Sequence, residues 1–176
     1  NGLDWTKWLG PNEFSNFNAE LAPPTSKDVF PNWRLYKEFG GGMVTDWGAH
    51  MFDIAQWGLD MDSTGPVKFI PPTDPNAKRG LVMVYENGIV MKHEDFGRSN
   101  TVRFIGEKGR LDVSRSILDS DPANIVSATI QPNETRLYES NDHYLDWLEC
   151  IKTGKKPVCD VEIGHRTSSV CNVANI

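Results

Sequence analysis

The stretch Gly80-Leu-Val-Met-Val-Tyr-Glu-Asn-Gly-Ile-Val-Met-Lys-His-Glu94 decides the fold class. Two runs rich in β-branched and apolar residues, 80–86 and 89–94, flank the dipeptide Asn87-Gly88. That dipeptide suits a two-residue type I′ reversal, which needs φ > 0 at both positions, so a β-hairpin is expected here. The same chemistry continues in Thr101–Gly106 and Arg110–Ser114, joined by the tight reversal Gly106-Glu-Lys-Gly109, and begins upstream in Val67–Ile70. In Val102, Phe104, Leu111 and Val113 apolar residues alternate with polar ones, so one sheet face is expected to be buried and the other wetter. Ser127–Gln131 and Thr135–Glu139 read as edge strands.

Working outward, the period changes from 2 to 3.6 on both sides of these strands. Upstream, Gly40-Gly-Gly42 leads into Met43-Val-Thr-Asp-Trp-Gly-Ala-His-Met-Phe-Asp-Ile-Ala-Gln-Trp-Gly-Leu59. There Trp47, Met51, Ile54, Ala55 and Gly58 fall on one helical face, and Asp46, His50, Asp53 and Trp57 on an adjacent stripe. The spacing predicts one continuous helix, capped near Thr45 and closed by the turn at Asp60–Pro66. Downstream, Asn141 is read as the cap of a helix over Asp142–Thr153, with Tyr144, Trp147, Leu148 and Ile151 as its apolar stripe and Gly154 as its stop. A last helix starts near Asp160 or Val161, with Ile163, Val170, Val173 and Ala174 inward, and runs to Ile176. The expected architecture is α+β: an open, largely antiparallel or mixed sheet with helices packed on one face.

The chain of 176 residues suits a single domain, divided into an irregular aromatic-rich segment (1–41) and an α+β body (42–176). The first segment carries Trp5, Trp8, Phe14, Phe17, Phe30, Trp33, Tyr36 and Phe39 with no sustained period, as in a long loop pinned by aromatic anchors. An Asn at position 1 and the lack of any cap after Ile176 lead to the expectation that both ends are cut from a longer protein.

Composition excludes several classes. Eighteen Lys and Arg against 24 Asp and Glu, without basic runs, argue against a nucleic-acid partner. No apolar stretch approaches the roughly 20 residues needed to cross a bilayer, so no membrane span is expected. Cys150, Cys159 and Cys171 do not follow a CxxC pattern and read as free, mostly buried thiols, a weak pointer to a reducing compartment. Cytoplasmic and periplasmic locations both stay open, since a targeting signal would precede Asn1. No G-x-G-x-x-G, P-loop, HExxH or G-x-S-x-G is present. The sequon Asn133-Glu-Thr135 is a single tripeptide and carries no functional weight.

Asp46-Trp-Gly-Ala-His50 is the best candidate for chemistry. An i, i+4 carboxylate and imidazole lie on one helix face, so Asp46 can hold one ring nitrogen while the other is aimed at a substrate, which makes His50 an oriented general base. An ordinary helical Asp-His pair has the same spacing. Trp33, Arg34, Tyr36 and Trp47 offer flat walls and a cationic donor to a polyhydroxylated ligand, or anchor a loop to the core. A metal site would need Asp46, His50 and one of Asp53, His93, His143 or His165; no second paired motif supports it, and no metal is expected.

The order of these motifs resembles the C-terminal domain of the Gfo/Idh/MocA oxidoreductases, which include glucose-fructose oxidoreductase and inositol dehydrogenase. The likeness is carried by Leu3-Asp-Trp-Thr-Lys-Trp-Leu-Gly-Pro11, Asn32-Trp-Arg-Leu-Tyr36, Gly40 to His50 with Asp53 and Trp57, Phe104-Ile-Gly-Glu-Lys-Gly-Arg-Leu111, and Gly154-Lys-Lys-Pro-Val-Cys-Asp160 with Gly164-His-Arg166. The resemblance implies an N-terminal Rossmann domain holding NAD or NADP and a C-terminal domain that shapes the substrate site and supports homo-oligomers through its sheet. It also implies that His50 takes the proton of a sugar or polyol hydroxyl, with Asp46 orienting it. The family's Glu-Lys-Pro lysine has no counterpart here. Two other functions fit the same residues: a redox-assisted, NAD-dependent glycosidase of the same superfamily, and a non-catalytic carbohydrate-binding or oligomerisation module.

Overall fold

A computed structural model describes residues 2–13, 16–22, 32–36 and 38–176. Phe14, Phe30 and Lys37 of the expected loop segment lie outside the described residues. The fold is α+β and its strands form two open three-stranded antiparallel sheets. The first contains β1 (Lys68–Ile70), β2 (Leu81–Val84) and β3 (Val90–His93), in that order. The second contains β4 (Val102–Gly106), β5 (Gly109–Val113) and β6 (Leu118–Asp121).

The first sheet follows its period-2 pattern. Met83 pairs with Phe69 on one side and Met91 on the other, so these three side chains share a face with Leu81 and Tyr85. That face packs on α3 (Trp47–Gly58) and α6 (Val161–Ala174) through Phe52, Val170 and Cys171. Met83 is fully buried, which contributes about 2 kcal/mol by transfer from water. The hairpin between β2 and β3 differs in detail from the expected type I′ turn. Tyr85 N–H donates to the Ile89 carbonyl (2.9 Å), Gly88 N–H donates to the Tyr85 carbonyl (3.0 Å), and Gly88, but not Asn87, has φ > 0. This is a three-residue loop with a left-handed glycine, held because the Asn87 side chain accepts Ile89 N–H at 3.1 Å.

Two helical faces are corrected. On α3 Ala55 is buried as expected, but Phe52 and Gln56, rather than Met51 and Ile54, are the buried side chains beside it. Gln56 tolerates full burial because its amide donates to Thr167 Oγ1 (3.3 Å) and its carbonyl accepts the Tyr85 hydroxyl (3.1 Å). On α6 Thr167 takes the inward position beside Val170 and Cys171, while Val173 is exposed. The terminal helices obey their caps more closely. Asp142, rather than Asn141, caps α5 (His143–Thr153), with Gly154 in the left-handed conformation after it; Asp160 caps α6. The apolar stripe of α5 faces outward, with Tyr144, Trp147, Leu148 and Ile151 all exposed.

In the second sheet β6 is a strand that the sequence pattern does not announce, and the expected edge strands 127–131 and 135–139 are absent. Asp119 and Ser120 have specific partners there. Asp119 meets Arg98 at 2.6 Å, and Ser120 Oγ joins the Pro122 carbonyl to Val126 N–H at the start of α4 (Asn124–Ser127). The polar face also contradicts the expectation of a wet surface at its centre. Asp112 is fully buried, gripped by Arg103 through two 2.7 Å bonds and by Arg98 and Arg110 at 3.1 and 3.0 Å. The apolar face meets α3 where Gly58 leaves room for the Phe104 ring.

Within the aromatic-rich segment, α1 (Trp5–Leu9) is a short helix that the sequence pattern does not announce. Trp8 Nε1 donates to the Leu21 carbonyl at 2.7 Å, and Trp5 packs edge-on against Phe17 at 5.2 Å. No helix among the described residues is long and apolar enough to cross a membrane.

Candidate functional site

The glycine triplet builds the site. Gly41 and Gly42 adopt φ of 76° and 78°, in the left-handed region that favours glycine, and start α2 (Gly42–Thr45). Gly40 lies against the 3-10 turn Asn32–Leu35 so closely that a Cβ there would be 2.6 Å from Arg34 Cα. The Tyr36 carbonyl accepts the amides of Phe39, Gly40 and Gly41, at 3.1, 2.9 and 3.3 Å. Asn175 Nδ2, just past α6, donates to the Gly41 carbonyl at 2.7 Å. The turn is therefore clasped from both sides.

The expected continuous helix is broken at Asp46, whose φ and ψ are −90° and −92°. Asp46 belongs to neither α2 nor α3, so the i, i+4 geometry that would set it beside His50 does not arise. Its carboxylate instead forms an ion pair with Arg34, and it has no hydrogen bond to His50 among the described residues. This contact is ionic rather than a well-aligned hydrogen bond: Asp46 Oδ2 is buried and has no hydrogen-bond partner among the described residues. Arg34 Nη2 also reaches Met43 Sδ at 3.4 Å.

His50 is exposed, one turn into α3, and its ring packs edge-on against Trp47 at 5.6 Å and 65°. Trp47 in turn lies under Arg115, whose guanidinium carbon is 5.0 Å from the ring centroid. The structure thus gathers Arg34, Asp46, Trp47, His50 and Arg115 in one chain of contacts. Tyr36 is directed elsewhere. Its hydroxyl donates to Glu20 at 2.7 Å, and that bond raises its pKa above the usual phenol value. Trp33 is half-buried in the same 3-10 turn as Arg34. Sequence reasoning missed Arg115, which comes from the loop between β5 and β6 and carries no local signal.

Beyond His50, Thr167 Oγ1 donates to Asp53 Oδ1 at 3.1 Å, so the Asp53 stripe position belongs to the α3–α6 contact. Burial, then the charges of Asp53 and Asp60, raise the Asp62 carboxyl above its ordinary value. Among the described residues no group of three or more His, Cys, Asp or Glu is placed to share a metal ion. His93 packs against Phe52 at 6.4 Å, and His143 lies 4.2 Å from the Tyr144 ring. Cys150 and Cys171 are buried and Cys159 exposed, all three as free thiols.

A nicotinamide dinucleotide does not fit these residues. Its diphosphate would need free backbone amides at a glycine-rich turn between a parallel strand and a helix. Here the Gly40 and Gly41 amides already donate to the Tyr36 carbonyl, and every strand pairing among the described residues is antiparallel.

The model of an oxidoreductase family, the C-terminal alpha/beta domain of the Gfo/Idh/MocA proteins, matches residues 1–176. The chain belongs to that oxidoreductase family, as its C-terminal domain. No curated protein and no solved structure matches it.

Proposed function

We propose that this domain shapes the substrate site of an oxidoreductase acting on a sugar or polyol hydroxyl, with His50 as the base that accepts the hydroxyl proton. The observation that carries the reading is the exposed His50 imidazole, supported edge-on by Trp47 at the first turn of α3, in a chain of an oxidoreductase family. An imidazole accepts a proton near neutral pH, and an indole ring suits the apolar C–H face of a sugar. Asp46 acts as a positioning residue: its ion pair with Arg34 anchors the chain break from which α3 and His50 project. Trp33, Arg34 and Trp47 line the approach, and Tyr36 contributes through its carbonyl, which holds the glycine turn.

We assign NAD or NADP, as acceptor of the substrate's hydride, to a nucleotide-binding domain outside residues 1–176, because the Gly40 and Gly41 amides are already engaged by Tyr36 and the described strands pair only antiparallel. The partners of this reading are the sugar or polyol, that domain, and a second copy of the chain meeting an open sheet face. The test is His50→Ala in the intact oxidoreductase. Loss of turnover by about a hundredfold or more, with unchanged folding and sugar binding, supports the base; unchanged turnover removes His50 from the chemistry. Release of an aglycone without net NADH would favour the redox-assisted glycosidase.

A further inference from the structure

Arg115 has an environment unlike that of the other arginines. Arg34, Arg79, Arg98, Arg103, Arg110 and Arg166 each face a carboxylate, and Arg136 donates to the Ile130 carbonyl. Arg115 is exposed and lies over the Trp47 ring, with no carboxylate partner among the described residues. Its backbone is fixed by a tight turn: Ser114 N–H donates to the Ile117 carbonyl at 2.8 Å, and Ser114 Oγ accepts the amides of Ser116 and Ile117 at 3.2 and 3.0 Å. Among the described residues a cation without a carboxylate partner is therefore held in place on the aromatic platform that supports His50.

We propose that the substrate is a sugar acid, and that Arg115 selects it by binding its carboxylate while the sugar's apolar face rests near Trp47. The inference deepens the reading of His50 as the base and rests on it. A guanidinium stacked on an indole keeps its N–H edge open, and that planar fork matches a carboxylate through two parallel bonds. A hydrogen bond to a charged group contributes more than one between neutral groups, so the charge discriminates acid from neutral sugar. A carboxylate is favoured over a phosphate. The second arginine of the site, Arg34, is already committed to Asp46, which leaves Arg115 as the cation for the ligand among the described residues of the site, and the chain carries a formal charge of −6.

The experiment is calorimetric titration of the intact oxidoreductase with D-glucuronate and D-galacturonate against D-glucose and D-galactose, in wild type, Arg115→Gln and Arg115→Lys. Expected is binding of the acids about tenfold tighter than of the neutral sugars, weakened by salt, largely lost in Arg115→Gln and partly kept in Arg115→Lys. Equal affinity for acids and neutral sugars, binding of neither, or an acid preference that survives Arg115→Gln would overturn the proposal. So would tighter binding of the hexose phosphates. Arg115 is exposed, so melting temperature serves as the folding control. His50→Ala separates the two readings. If it abolishes turnover while Arg115→Gln leaves the acid preference intact, the anion site at Arg115 fails and the base stands. If it leaves turnover intact while Arg115→Gln removes the preference, the base fails and the anion site stands.

Discussion

The Arg34 guanidinium is ion-paired with the Asp46 carboxylate, tying the 3-10 turn Asn32–Leu35 to the break between α2 and α3. The side chains retain only 14% and 32% exposure, so the pair is shielded enough for its charges to matter. A double-mutant cycle with Arg34→Met and Asp46→Asn is expected to give a coupling of roughly 1 kcal/mol. Urea unfolding of the four proteins measures it. Additive losses would mean that the pair contributes nothing beyond its separate side chains.

Gly40 lets that pair form. A methyl group there would be 2.6 Å from Arg34 Cα and 2.8 Å from Arg34 C, both backbone atoms that cannot rotate away. Gly40→Ala is expected to push the 3-10 turn off the glycine triplet, lowering stability by about 1–3 kcal/mol and impairing turnover of the intact enzyme more than its cofactor binding. Thermal unfolding and steady-state kinetics check this. A stable, fully active Gly40→Ala protein would show that the close approach is dispensable.

Asp112 sits under three guanidinium groups, and its carboxyl is held well below the usual carboxylate range, first by the Arg103 hydrogen bonds and then by the charges of Arg103, Arg98 and Arg110. Because the folded pKa is depressed, this stabilisation is complete above the unfolded value of about 3.9 and is lost as pH falls through the folded value. Asp112→Asn is expected to cost roughly 3 kcal/mol at neutral pH, since it leaves the arginines without their central charge. It should also flatten the acid limb of the stability curve below about pH 4. Unfolding midpoints at several pH values decide the point.

The patterns legible in the sequence were those written in local chemistry. The β-branched and apolar runs on either side of Asn87-Gly88, with Val67–Ile70 before them, marked β1 to β3, and Gly154 and Asp160 marked where α5 ends and α6 begins. The family resemblance was carried by motif order, which depends on no contact. What escaped was set by partners distant in the chain. Asp46 leaves the helix pattern for Arg34, twelve residues back in the chain. Gln56 goes inward because Tyr85 and Thr167 satisfy it, and Leu118–Asp121 becomes a strand with Arg98 and Arg110 beside Asp119. Arg115 joins the site from the loop between β5 and β6, far along the chain from Trp47.

His93 carries a pH dependence of its own. Burial first, and then the charge of Arg79, lower its pKa, so the folded protein holds a neutral ring against Phe52. As pH falls below the unfolded value of about 6.5, the unfolded chain takes up a proton that the folded chain resists. Stability is lost until the folded pKa is passed, and His93→Gln should remove this step near pH 6 while leaving the Asp112 limb near pH 4 in place. An unchanged profile between pH 5 and pH 7 would mean that the folded ring takes up its proton as readily as the unfolded chain does.

The buried network Tyr85–Gln56–Thr167–Asp53 joins the first sheet to α3 and α6 through groups that each need a partner. Gln56→Leu keeps the volume close to native but strands the Tyr85 hydroxyl and takes a donor from Thr167. The expected loss is about 1–3 kcal/mol. Tyr85→Phe alone leaves the Gln56 carbonyl unsatisfied and should also destabilise. The double variant Gln56→Leu with Tyr85→Phe removes both ends of one bond, so it should be less destabilised than the two single losses combined. Equilibrium unfolding of these proteins gives the sign of the coupling. Simple additivity would show that water satisfies the Tyr85 hydroxyl in Gln56→Leu, and that packing rather than polar satisfaction brings Gln56 inside.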